Sequence, residues 1–123
     1  MNYTFEGGAV DEVQPLIYMW EIRNHAGQLI GRYVGKAKAG ANRPRKHYAR
    51  NVANILAGKP YRKGNPDGYR RVHRALAEAE RLGYVLTLSF LCNVNQEETI
   101  NEAEQRCIRE QNCRGIEAWQ LNA

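Results

Sequence analysis

Residues 16–47 read LIYMWEIRNHAGQLIGRYVGKAKAGANRPRKH. Tyr18, Trp20 and Ile22 alternate with Ile17, Met19 and Glu21, the period of two that marks a β-strand. Asn24-His25-Ala26-Gly27 is a turn, and Leu29 to Gly35 returns as the second strand of a hairpin. Gly40 and Asn42 break the chain before a helix expected from about Arg43 to Leu56. Pro44 fits its first turn, where a missing N–H costs nothing. On that helix Tyr48, Val52, Ile55 and Leu56 form an apolar stripe, while Arg43, His47, Arg50 and Asn54 share another line.

Outward from this stretch, residues 1–13 read as a polar, partly disordered leader, because Gly7, Gly8, Asp11 and Glu12 offer little to bury. Residues 14–123 read as one domain. A basic loop follows the first helix. Asp67 is the expected N-cap of a second helix to Leu82, with Tyr69, Val72, Leu76 and Ala79 inward and Gly83 as its stop. Tyr84 to Val94 is rich in β-formers and apolar on both faces, as a central strand is. Asn95 with Glu98 is a capping-box start for the last helix, and Gly115 its stop. The expected architecture is α/β (α+β): a small, mostly antiparallel sheet of three strands flanked by about three helices, in the order β-β-α-α-β-α.

At 123 residues, with 43% hydrophobic and 25% charged side chains, the chain suits one soluble domain with a real core. Its apolar runs are too short to span a bilayer. Met1 to Glu6 lacks the basic and apolar regions of a secretory signal. Cys92, Cys107 and Cys113 match neither a disulfide framework nor zinc spacing, and read as reduced, mostly buried thiols in a cytoplasmic setting.

The net charge is +5, and its distribution is one-sided. Between Glu21 and Asp67 there is no acidic residue but eleven basic ones, including Lys36, Lys38, Arg43, Arg45, Lys46, Arg50, Lys59, Arg62 and Lys63. Such a run is either a solvated face or the footprint of a phosphate backbone. Its coincidence with the tyrosine strands and the Arg/His helix favours nucleic acid. Arg70, Arg71 and Arg74 extend the same surface and would grip flanking DNA phosphates without reading sequence.

Glu104 falls between Ile100, Cys107 and Ile108 on the apolar face of the last helix. Burying a carboxylate there costs several kcal/mol, on the order of what a cation or paired donors must offset. An arginine at the stripe edge would do this, as would a divalent ion; Mg²⁺ accepts one or two carboxylates and completes its shell with water and phosphate. Arg43 suits a bidentate hold on phosphate, and His47 can donate a hydrogen bond or move a proton near neutral pH. Tyrosine is common in strands, and a phenol is a poor base unless cations surround it.

The order Tyr18, Tyr33-Val34-Gly35, Lys36, Arg43, His47 and Glu104 resembles the GIY-YIG nuclease superfamily, over about Leu16 to Asn122. The resemblance implies a catalytic constellation of Tyr18, Tyr33, Lys36, Arg43, His47 and Glu104, with one Mg²⁺ or Mn²⁺ ion on Glu104. It implies that one tyrosine accepts the proton of the attacking water while the other orients it or the phosphate; Tyr33, close to Lys36, is the expected base. Asn122 matches the family's late asparagine. Leu16 replaces the first motif's glycine, and the hairpin between the tyrosines is several residues longer than usual. The expected activity is metal-dependent hydrolysis of DNA phosphodiesters. The competing readings are a non-catalytic nucleic-acid-binding module on the same fold and a basic adaptor for an acidic protein. So short a chain has little room for a separate sequence reader, which leaves specificity to its loops, a homodimer or a targeting partner.

Overall fold

The computed structural model describes residues 1–123. The hairpin forms as its alternation requires: β2 (Leu16–Arg23) pairs antiparallel with β3 (Leu29–Ala37), placing Trp20 opposite Tyr33 and Tyr18 opposite Gly35. The last strand, β4 (Val85–Asn93), lies antiparallel on the other side of β2. Its central position accounts for its apolar character on both faces.

The expected three strands are four. Thr4–Glu6 forms β1, parallel to β4, so the sheet is mixed with order β1-β4-β2-β3. The segment read as a polar leader thus supplies an edge strand. Tyr3 packs edge-on against Trp20 and Phe5 against Phe90. The Arg45 guanidinium stacks 4.0 Å above the Phe5 ring and bonds Glu12 at 2.9 Å. Two aromatic anchors spaced two apart were enough to make a strand, within a window too short for periodicity to register.

Helices cover both faces. A single π-helical turn, Arg43–His47, leads into α1 (Tyr48–Leu56), and α2 (Arg71–Leu82) packs beside it. These cover Tyr18, Trp20, Ile22, Leu86, Leu88 and Phe90, forming the larger core. On the opposite face, α3 (Ile100–Glu110) lays Ala103, Cys107 and Ile108 over Ile17 and Val34.

Four local expectations are corrected. Asp67 does not cap α2, which begins four residues later behind Arg70. The capping box of α3 is Thr99 with Glu102, one turn beyond Asn95, whose side chain accepts from the Glu97 N–H instead. That helix ends at Gln111 with Asn112 in the left-handed region (φ 54°), ahead of Gly115. Leu56 is half exposed, outside the α1 stripe. Gly83 does end α2, at φ 72°.

Because Phe5 buries its ring between Phe90 and Arg45, Phe5→Ala should lower unfolding stability by about 2–3 kcal/mol. Urea denaturation would measure it, and a loss under about 0.5 kcal/mol would mean that β1 contributes nothing to the core.

Candidate active site

The site is built around one edge of the sheet. Along β3, Tyr33, Gly35 and Ala37 face the α1/α2 layer, while Val34 and Lys36 face α3. Side chains from both layers therefore meet beyond this edge strand. A cleft of about 400 Å³ opens there, lined by Tyr18, Tyr33, Lys36, Lys38, Ala39, Arg43, Arg70 and Glu104. Four cations face one carboxylate, a field suited to an anionic ligand.

Tyr18 lies at a register shift between β2 and β4, where Leu91 is the extra residue, a device that re-aims a side chain. Its ring lies over Gly35, where any Cβ would collide with the phenol. The hydroxyl shares a 2.5 Å hydrogen bond with the Tyr48 hydroxyl, buried under α1. Burial pushes the Tyr18 phenol well above its ordinary range, and the Tyr48 bond and the charges of Arg43 and Arg70 only partly offset this. Burial also raises Tyr48. Tyr18 is thereby a fixed, neutral hydroxyl and a poor base.

Tyr33 is placed differently. It is half-buried, and Arg70 Nη1 donates to its hydroxyl at 3.4 Å. The phenol thus sits at the cleft rim with a guanidinium against its oxygen. Arg43 is exposed and makes no side-chain hydrogen bond, leaving its guanidinium available to a ligand.

Glu104 projects from α3 with its side chain 15% exposed. Its one ionic partner, Lys36 Nζ, is 3.9 Å away, and its oxygens accept no hydrogen bond from the protein. Lys36 itself is tied to Asn101 Oδ1 at 2.5 Å. A largely buried carboxylate without donors fits a divalent cation. Nowhere do three or more His, Cys, Asp or Glu side chains cluster to hold an ion by protein groups alone. An ion held on Glu104 would need water and ligand oxygens to complete its shell.

Asn122 stands behind the cleft. It is buried, its Oδ1 accepting from Val34 N–H at 2.9 Å and its Nδ2 donating to Val34 C=O at 2.8 Å. With the Arg32 bonds to Trp119 and Leu121, it closes the free edge of β3 beside Tyr33. It holds the strand and does not line the 400 Å³ cleft, but with Tyr33, Lys36, Arg70 and Glu104 it lines an adjoining hollow of about 510 Å³.

His47 does not line that cleft either. Its Nε2 accepts from Asn51 Nδ2 at 3.1 Å, and its ring sits 5.5 Å from that of the buried His73. Burial, then Arg43, Arg50 and Arg70, hold the His47 imidazole below its usual value. His73 Nδ1 accepts the Arg70 backbone N–H at 3.2 Å, locking the residue that reaches Tyr33. Among the expected phosphate-gripping residues, Arg45 is occupied by Phe5 and Glu12, Arg71 by the carbonyls of Ala118 and Gln120, and Arg74 by that of Asp67. Lys46, Arg50, Lys59 and Lys63 are exposed without side-chain hydrogen bonds, and Arg62 stacks on Tyr61.

From the sequence, Arg70 belonged among the flanking backbone contacts and Tyr48 in a core stripe, and nothing singled out His73. The available signal was Tyr48 itself, since a hydroxyl on a fully buried stripe needs a partner. No protein-family model matches this chain, and no characterised protein or solved structure is significantly similar to it.

Burial, then His47, Arg70 and Arg43, depress His73 from the ordinary imidazole value of 6.5 to about 4. The unfolded chain takes up this proton first, so stability falls as pH drops through that interval, by up to about 3 kcal/mol. His73→Gln should flatten the dependence between pH 6.5 and 4, measured by urea denaturation at each pH. An unchanged slope would mean that His73 is not the titrating group.

Proposed function

We propose that this chain is a divalent-metal-dependent endonuclease of GIY-YIG type that hydrolyses DNA phosphodiester bonds. The observation that carries the reading is Glu104: a largely buried carboxylate without protein donors, in a cleft otherwise walled by cations and tyrosine hydroxyls. A phosphodiester with a hard cation satisfies both halves of that arrangement. The one-sided run of basic residues and the matching order of Tyr18, Tyr33, Lys36, Arg43, His47 and Glu104 support the same substrate.

Arg43, free of protein partners, clamps a non-bridging phosphate oxygen and stays charged as negative charge develops. Tyr33, at the cleft rim with the Arg70 guanidinium against its hydroxyl, accepts the proton of the attacking water. Tyr18, neutral and fixed by Tyr48, donates its remaining hydrogen-bonding capacity to orient water or phosphate. Lys36 adds positive charge beside Glu104. Glu104 would hold one Mg²⁺ or Mn²⁺, which supplies Lewis-acid stabilisation of the leaving oxygen. Lys38 at the cleft and Lys46, Arg50, Lys59, Arg62 and Lys63 around it attract the flanking backbone. His47 acts from behind, through Asn51 and the α1/α2 contact.

Nicking of supercoiled plasmid in Mg²⁺ or Mn²⁺ tests the reading. Glu104→Ala and Arg43→Ala should each lose about 100-fold or more of the rate. Tyr33→Phe should lose about 100- to 10,000-fold, and Tyr18→Phe no more than about tenfold. Activity that survives in Glu104→Ala overturns the site. Tight DNA binding by the native chain with no cleavage of plasmid or branched substrates would establish a binding module instead. No DNA binding at low salt would favour the acidic-protein adaptor.

A further inference from the structure

Cys92 on β4 and Cys107 on α3 bring their sulfurs to 4.0 Å, across the face of the sheet opposite the tyrosines. Cys107 is buried, whereas Cys92 is partly open to solvent. Arg106 points Nη2 at Cys92 Sγ from 3.8 Å while also bonding Glu98 and Glu110. Cys92 is therefore the sulfur of the pair that an oxidant in solution reaches first, with a guanidinium beside it. A second thiol in contact, shielded from solvent, is positioned to capture its oxidised form. Cys113 has no thiol neighbour; its Sγ donates to the Gln111 carbonyl at 3.7 Å.

We propose that Cys92 and Cys107 are a peroxide-reactive pair that closes to a reversible intramolecular disulfide. The Cys92 thiolate attacks one oxygen of hydrogen peroxide, the O–O bond breaks, and hydroxide leaves, taking a proton to become water. Cys92 is now a sulfenic acid. The Cys107 sulfur attacks the Cys92 sulfur, the S–O bond breaks, and the hydroxyl departs with the Cys107 proton as a second water. Two thiols and one peroxide thus give one disulfide and two waters. Burial pushes the Cys107 thiol up to about 12, so it is the resolving partner and not the first to react. The bond would tie β4 to α3 one helical turn beyond Glu104, across a separation of 15 residues. This inference stands whether or not the cleft cleaves DNA.

The native protein is treated with hydrogen peroxide, its remaining thiols are alkylated, and its peptides are mapped by mass spectrometry. The expected result is a peptide joining Cys92 to Cys107 with two hydrogens lost, Cys113 still a thiol, and full reversal by dithiothreitol. The oxidised form should melt on the order of 10 °C higher, as the closure of a loop of this length implies. In Cys107→Ser, Cys92 should proceed to sulfinic acid, and Arg106→Gln should slow the first step several-fold. Three thiols left free after peroxide, accumulation of Cys92 sulfinic acid in the native chain, or a disulfide between two chains would each overturn the proposal.

Discussion

Closure of the β3 edge is the constraint on which the rest of the molecule depends. An edge strand leaves backbone donors and acceptors unpaired, a liability that proteins cover or blunt. Here the C-terminal residues cover it: Arg32 exchanges bonds with Trp119 and Leu121, and the Asn122 amide takes both polar groups of Val34. Leaving a buried pair of that kind unmet costs about 1–3 kcal/mol per group, so the segment is held firmly. Beyond Val34 the edge is left open. There Tyr33 and Lys36, on opposite faces of one strand, reach the same cleft, joining Tyr18, Arg43 and Arg70 from one layer to Glu104 from the other.

Within that frame, burial separates the roles of the two tyrosines. Tyr18 is enclosed, its hydroxyl committed to Tyr48 and its proton held tightly. Tyr33 stands at the rim under the Arg70 guanidinium. Arg70 is in turn fixed through its backbone by His73, a neutral buried imidazole. The cationic wall is thus arranged by a layer of aromatic and imidazole rings behind it. One carboxylate, Glu104, is left without protein donors amid this positive field. That imbalance gives the cleft its chemical direction.

Much of this was legible in the chain. The β-rich run of β2, its Asn-His-Ala-Gly turn and the return strand exposed the hairpin, and apolar stripes with their cap and stop signals exposed the helices. Glu104 was visible as a carboxylate on an apolar stripe. What escaped depended on distant partners. Strand β1 has three residues, and its anchors Tyr3 and Phe5 gain meaning only against Trp20 and Phe90. Asp67 and Asn95 looked like caps because their side chains readily bond nearby backbone, which turns use equally well. Asn122 could be matched by order alone, whereas its work on Val34 is a contact 88 residues distant. Arg70 looked like any other cation of the basic loop, and only the packing of α2 against the sheet brings it to Tyr33.

The most direct test of the cleft is a crystal structure of the native chain with an uncleaved DNA duplex and Ca²⁺, an ion expected to support binding without turnover. A phosphate should lie at the Arg43 guanidinium, a water within hydrogen-bonding reach of the Tyr33 hydroxyl, and the cation on Glu104. A backbone lying on Lys59 to Lys63 alone, with the cleft free of phosphate and Glu104 still paired only with Lys36, would contradict this reading of the cleft.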